Sequence, residues 1–499
     1  MFGKFKLFIN RLGKKMIRTT SSVIDVSEKR YIEFKLASWK VSKERMDQIT
    51  GEKYYKGLHD IIKRKRQVIG EDGGLVNVDN LPNNRIVDNQ FGKMVDQKKN
   101  YLLGQPLVFN SENDQYNEAL KTVFDKTFSR TIKNVGLDSL TGGIAWVHPY
   151  YDEEGTFKLK RFPAYEILPF WGDKAHTKLK FAVRYYVEEK TASLNNDIIE
   201  KVEIYTPMGI FYYELINNSL FPDPKTPHRD YLTIESEEGE QGYNWTRVPL
   251  VPFKFNSFEM PLINRCKSIQ DAINLIMSDF VNGMQENAGG NSIIVLNNYD
   301  GENLGEFRQK LSQYRAVKVR TTDSAKGGVE TLTVEVNATN YETVLKALKR
   351  QLIENCRGFD AKDERMGGNP NQMNIKSMYT DIDLDAHDME AEYQASFEDL
   401  LWFVDQHFTN TGVGSFENEE VEVIFNRDTI VNETEVMTML TSAGVRIPNE
   451  ILLQQVPFVD DVERAKELLK EEQEESLDIY GGALPTNGNK TGGEVDEEE

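Results

Sequence analysis

Several kinds of chemistry lack their residues in this chain of 499 residues. There are two cysteines, Cys266 and Cys356, each in or beside a predicted helix. That usage fits reduced thiols in a reducing compartment and excludes a disulfide framework. No run approaches the roughly 18 apolar residues of a membrane-spanning helix. The N-terminus has basic residues but no apolar segment followed by a small-residue cleavage site, so no signal peptide is expected. No Gly-Lys-Ser/Thr follows a glycine at the spacing of a nucleotide phosphate loop. His-Glu-x-x-His, paired-cysteine zinc spacing and the Gly-x-Ser-x-Gly elbow are also missing. The six histidines, at 59, 148, 176, 228, 387 and 407, are scattered and read as ordinary surface or core residues. Gly412-Val413-Gly414 lacks the third glycine of a dinucleotide loop and reads as a turn. No catalytic residue and no cofactor are expected.

Charge is abundant and unevenly placed. The formal net charge is −20. Residues 1–18 hold six Lys/Arg and no acid, while residues 460–499 hold 14 Asp/Glu against four Lys/Arg. The body between them stays near −16. A surface that acidic repels phosphate at long range, so tight general binding of nucleic acid is excluded and loose contact or passage is not. The basic start alternates Phe, Leu and Ile with Lys and Arg. It reads as a partly ordered arm, or second as an amphipathic helix at a membrane surface.

Along the chain, residues 27–67 look helical and highly charged. Asp72-Gly73-Gly74 signals a turn. Residues 84–103 return to helical periodicity, with Ile86, Phe91, Met94, Val95, Tyr101 and Leu102 as core candidates and Gly104 as the stop. Asn113 to Val135 repeats the helical pattern. From Gly143 to about Phe255 the period shifts towards two, and AWVHPYY, KLKRF, FAVRYYVEE, KVEIYT, IFYYEL and VPFKF read as strands. The region is α+β with an antiparallel sheet. A helix at 268–288 has a broad apolar face that includes Ile269, Ile273, Ile276, Phe280 and Met284. Strand signals follow at 293–296, 316–320 and 331–336, with a helical stretch at 303–314. Residues 376–409 form a long acidic helix, VEVIF at 421–425 a strand, and 433–443, 449–454 and 460–476 further helices. The last twenty or so residues carry the composition of a disordered tail.

The stretch from Thr339 to Asn374 is the most informative. Thr339 and Glu342 have the spacing of a capping box. Leu345, Leu348, Leu352 and Cys356 form an apolar stripe, and Lys346, Lys349, Arg350 and Arg357 a basic stripe beside it. Gly358 is placed to stop the helix. The loop that follows offers Asp360, Lys362, Asp363, Glu364, Arg365, Met366, Gly367, Gly368, Asn369 and Pro370, with almost nothing to bury. Loops that long between helices are functional or disordered. This one has no nucleophile–base pair and reads as a contacting surface. Asp381, Asp383, Asp385, His387 and Glu392 fall at calcium-loop positions, but Ala386 stands where the sharp turn wants glycine. Asp381, Asp383, Asp385 and Glu392 are therefore a weak metal candidate against the plainer reading of an acidic helix face, and no metal is expected.

Three strings in order carry a resemblance: NNRIVDNQFGKMVDQKKNYLLGQP at 83–106, GGIAWVHPYYDEEGTFKLKRFPAYEILPFW at 142–171, and DERMGGNPNQMNIKSMY at 363–379. Together with the helix–insertion–helix unit between the last two, the chain resembles the portal proteins of tailed bacteriophages, of the type in siphophages of Gram-positive hosts, over about residues 50–480. The resemblance implies an α+β subunit: a basic arm (1–26), a wing of helices plus antiparallel sheet (27–258), a two-helix stem (259–288 and 339–358), a small α/β clip (289–338), a tunnel loop (359–374), a long wing helix (375–409), a helical crown (410–476) and an acidic tail (477–499). It implies a ring, twelve-fold in the virion, at one capsid vertex, conducting double-stranded DNA during packaging and ejection. It further implies terminase, head-completion or adaptor, scaffolding and major capsid proteins as partners, ATP hydrolysis in the terminase, no membrane, and residence in the virion after assembly in host cytoplasm. The arm has no role in that family scheme. A second reading is an acidic enzyme or membrane-associated protein using the 381–392 cluster or the arm.

Overall fold

The computed structural model describes residues 16–18, 26–70, 73–79, 81–152, 154–189, 198–236, 239–288, 293–297, 328–332, 338–360 and 372–427, with helical positions at 305, 309, 313, 466 and 468–470. The chain forms two compact units, residues 1–360 with 380–428, and residues 361–379 with 429–499. In the second, the described residues are 372–379, which open a helix, and the helical positions at 466 and 468–470. All that follows concerns the first unit. The expected strand at 316–320 and the expected helices at 433–443 and 449–454 lie outside the described residues.

Eight helices have described bounds: α1 (Val26–Lys40), α2 (Lys43–Tyr55), α3 (Gln90–Leu103), α4 (Asp114–Val123), α5 (Lys126–Gly142), α6 (Lys267–Ala288), α7 (Ala338–Asn355) and α8 (Gln372–Thr411). Capping fixes several starts. Ser42, Asn89, Asn113 and Asp125 each accept a hydrogen bond from the backbone N–H three residues on, satisfying a donor that the first turn leaves free.

The strands are antiparallel wherever register is described. Six strands between Ile167 and Arg229 form the largest sheet. Alternation decides its faces: Val183 and Tyr185, Val202 and Ile204, and Phe211, Tyr213 and Leu215 turn to one side, where Ile32 and Leu36 of α1 cover them. A three-stranded sheet orders Val251–Lys254, Ile144–Tyr151 and Phe157–Pro163. The Ile144–Tyr151 strand is buried at seven of its eight positions, because its outer face is also covered. Between its neighbours lies an aromatic core in which Phe253 meets Tyr393 and Phe397 of α8 edge-on at 5.0 and 5.3 Å. α8 also joins α4: Tyr116, Leu120, Leu401, Val404 and Phe408 close one cluster.

Two expectations are corrected. Helical geometry does not begin at residue 84, since α3 starts at Gln90 and residues 82–89 carry no regular element. The basic start is in part a strand: Met16–Arg18 pairs antiparallel with Tyr243–Trp245. Residues 1–15 lie outside the described residues.

Candidate functional site

The informative stretch roots where α3, α6, α7 and α8 meet. α6 is a helix of 22 residues that carries a polar row among its apolar positions. Gln270, Asn274, Ser278 and Asn282 recur every four residues and are almost completely buried. The Asn282 Oδ1, Ser278 Oγ, Asn274 Oδ1 and Gln270 Oε1 atoms accept from the backbone N–H groups of Asn84, Ile86, Asp88 and Phe91, at 2.7, 3.0, 3.0 and 2.9 Å. Four helical residues advance about 6 Å, and two residues of extended chain advance about 6.6 Å. The repeats match over the rungs at Asn84, Ile86 and Asp88, and the last rung, three residues on, is Phe91 in the first turn of α3; one face of α6 thus serves as a ladder for a strap that has no strand partner among the described residues. This fits the non-helical course of residues 84–89, in which the N–H groups of Asn84, Ile86 and Asp88 are taken by side chains of α6. Sequence reasoning saw the apolar face and missed the row. Its signal was amide and hydroxyl residues at a spacing of four.

α7 packs on α6 through Tyr341 and Phe280, whose rings lie 5.0 Å apart. The helix begins at Ala338, so Thr339 sits in the first turn and not at the cap, and Glu342 pairs with Lys346 at 2.7 Å. It ends at Asn355, and the left-handed position beyond it falls to Arg357, with φ 49°, and not to Gly358. The Arg357 N–H donates to the Glu354 carbonyl at 3.0 Å and the Gly358 N–H to the Ile353 carbonyl at 2.8 Å. This is the paired-bond helix stop with arginine where glycine is usual. Left-handed geometry costs a non-glycine residue about 1–2 kcal/mol. Gly358 is needed for another reason, because a Cβ there would run into Met94 and Gln97 of α3.

Three cations offset that strain around one carboxylate. Asp385 of α8 is 3% exposed and Lys98 of α3 is 4% exposed, and they meet at 2.8 Å. Arg265 Nη1 reaches the same Asp385 oxygen at 2.6 Å and Arg357 Nη1 the other at 2.9 Å. Lys98 Nζ also donates to the Arg357 carbonyl at 2.8 Å. Burial pushes the Asp385 carboxyl up, but Lys98 and Arg265 outweigh it and hold the group below the usual carboxylate range. Burial draws the Lys98 ammonium down from its ordinary value against the pull of Asp385. Gln97 of α3 binds the backbone of Phe359. The chain is thus clamped at 357–359, where it leaves towards residue 361. Cys266 and Cys356, one before α6 and one after α7, are both free and buried.

The weak metal candidate folds as helix. Asp381, Asp383, Asp385 and Glu392 all lie within α8, which has no break at Ala386. Asp383 accepts from Tyr101 and Arg427. Among the described residues no group of three or more His, Cys, Asp or Glu is placed to hold a metal.

The basic stripe divides. Lys346 and Arg350 are exposed and pair within α7, with Glu342 and Glu354. Lys349 and Arg357 tie the helix to the body, through Asp88 at 2.7 Å and through Asp385. Each cation has an acid, so the stripe is not a row of unopposed charge. Asp360 is half-buried. Lys362, Asp363, Glu364, Arg365, Met366, Gly367, Gly368, Asn369 and Pro370 lie outside the described residues.

Residues 32–478 match the family described as phage portal protein, SPP1 Gp6-like, and the chain belongs to that family. The portal protein of Bacillus phage SPP1 is 30% identical over 450 residues, covering 88% of this chain and 86% of that one. The portal protein of Clostridium phage phiCD119 is 26% identical over 442 residues, covering 86% and 93%.

Proposed function

We propose that this chain assembles into a ring at one capsid vertex, through which double-stranded DNA is packaged and later ejected. The observation that carries the reading is the family match across residues 32–478, which runs through the helix pair and its clamped root. Residues 27–258 form the wing, 259–288 and 339–358 the stem, 289–338 the clip, 359–374 the tunnel loop, 375–409 the long wing helix and 410–476 the crown. Twelve copies bring their tunnel loops to one level. The clip faces the terminase during packaging and head-completion proteins afterwards. Scaffolding and major capsid proteins contact the rim.

The internal pairing of Lys346, Lys349, Arg350 and Arg357 supports passage without a grip. Each phosphate neutralised by a cation adds to affinity at low salt, and cations already holding acids do so less. Among the described residues no helix is long and apolar enough to cross a membrane. Native mass spectrometry with electron microscopy tests the reading. A closed ring of twelve copies is expected. A stable monomer at micromolar concentration and physiological salt, with no rings, overturns it. In assembled rings, Lys362→Ala with Arg365→Ala is expected to alter DNA yield or retention in a packaging assay. Wild-type values for both would remove loop charge from the mechanism.

A further inference from the structure

Two thiols meet at the root of the helix pair. Cys266 closes the turn before α6, and its carbonyl accepts from the Gln270 N–H at 2.9 Å. Cys356 follows α7 directly, and its N–H donates to the Leu352 carbonyl at 3.0 Å. Their neighbours in sequence, Arg265 and Arg357, hold the two oxygens of the single Asp385 carboxylate, at 2.6 and 2.9 Å. That shared partner brings the two cysteines together, and a hydrogen bond joins one thiol to the other. Both side chains are almost completely buried.

Buried thiols are ordinarily inert packing. Here the surroundings divide the two. The hydrogen bond from Cys266 draws the Cys356 thiol below its ordinary value against the effect of burial, and Lys98 and Arg265 add to the pull. Asp385 opposes it, but that carboxylate is already held by three cations. The same hydrogen bond, together with burial, pushes the Cys266 thiol up. One sulfur is thus the readier nucleophile and the other stands beside it as the second thiol. The way in lies through the end of α7. Arg357, next to Cys356, holds the left-handed position and keeps 43% of its side chain in solvent. Exposed helix ends of this kind open locally while the rest of the fold stays closed.

We propose that Cys266 and Cys356 are a reversible disulfide site, closed by a peroxide, that staples the roots of α6 and α7 to each other. The Cys356 sulfur attacks one peroxide oxygen. The O–O bond breaks, Cys356 becomes a sulfenic acid, and the thiol proton leaves with the other oxygen as water. The Cys266 sulfur then attacks the Cys356 sulfur. The S–O bond breaks, the S–S bond forms, and the hydroxyl leaves with the Cys266 proton as a second water. Two thiols lose two electrons and one peroxide becomes two waters. A dithiol reductant restores both thiols by exchange. The closed form ties residues 267–355 into one covalent loop, and such a cross-link restricts the unfolded chain more the longer its loop.

Treatment of the folded full-length protein with hydrogen peroxide tests the site. After quenching, the chain is unfolded in urea and its thiols are counted by the mass that N-ethylmaleimide adds. Reduced protein takes two adducts, one for each cysteine. Oxidised protein is expected to take none until dithiothreitol restores both. Peptide mapping without reductant should join Cys266 to Cys356, and the product should run as a monomer on a non-reducing gel. Two adducts after a dose that fully oxidises free glutathione would overturn the proposal. Links between chains only, or sulfinic acid without a disulfide, would overturn it as well. Serine variants with wild-type circular dichroism test the division of roles. Cys266→Ser should let dimedone trap a sulfenic acid at Cys356, and Cys356→Ser should show about tenfold less trapping at Cys266. Equal trapping would overturn the order of attack. The urea midpoint of wild type should rise on oxidation, and that of Cys266→Ser should not. A wild-type midpoint that stays in place would refute the staple.

Discussion

Gln97 and Phe359 form a closed two-bond ring: the Gln97 amide donates to the Phe359 carbonyl at 2.7 Å and accepts from the Phe359 N–H at 2.7 Å. A side chain thereby does what a neighbouring strand would do, just before residue 361. We predict that Gln97→Ala lowers stability by about 1–3 kcal/mol, the cost of stranding buried backbone groups. Amide exchange at Phe359 should quicken with it. Unchanged exchange at that amide would show that the ring does not hold the root.

The cluster on Asp385 gives an ordered pair of effects. Asp385→Ala strands Lys98, Arg265 and Arg357 together, and breaking a buried pair costs about 3–5 kcal/mol. Lys98→Met leaves the carboxylate with two arginines and an apolar stem in the space of the old one. It should cost clearly less. Urea denaturation of both variants decides the order, and equal losses would mean that packing, not charge, dominates there.

Acid should weaken the fold through a buried histidine. His148 Nδ1–H donates to the Pro249 carbonyl at 2.6 Å, and burial lowers its pKa to about 4. Its unfolded value is near 6.5. Between those values the unfolded chain binds the proton and the folded chain does not, so stability falls as pH falls through this window, by about 3 kcal/mol in all. His148→Gln removes the group. Its stability should then fall less steeply from pH 6.5 to 4, by up to one proton. A slope identical to wild type would assign the acid sensitivity elsewhere.

Ser278→Ala separates two views of α6. If the helix were simply an apolar stem, the change would be neutral or favourable. The Ser278 hydroxyl, however, accepts from the Ile86 N–H at 3.0 Å. A loss of about 1–3 kcal/mol is therefore expected, together with faster exchange of the Ile86 amide. A gain in stability would refute the ladder.

The sequence made some of this legible and hid the rest for physical reasons. Period-two runs found the strands at 144–151, 157–163, 179–189, 198–206 and 209–216, and all but 157–163 bury several side chains, as that alternation implies. Apolar spacing found α6 to within one residue of its start. The strap was misread as helix because Ile86 was joined to the apolar pattern that Phe91, Met94 and Val95 begin, while the groups that claim its N–H bonds lie about 190 residues away on α6. The basic stripe was read as one face. Its division into exposed and tethered halves depends on Asp88 and Asp385, which the spacing of α7 does not reveal. Asp385 was read as one of an acidic run, yet it is the carboxylate that three cations share.

The matched repeats of α6 and its strap also act as a vernier. Every rung breaks at once if the helix slides a little along its axis, since all four acceptors leave their N–H groups together. Along the evenly spaced rungs of Asn84, Ile86 and Asp88, contacts can re-form only when the shift reaches one full interval, about 6 Å. Axial load on α6 thus meets a series of discrete detents, not a smooth slope. The side chain of Asn282 sits at one end of that series and Gln270 at the other, so a tug from either direction is spread over the whole row.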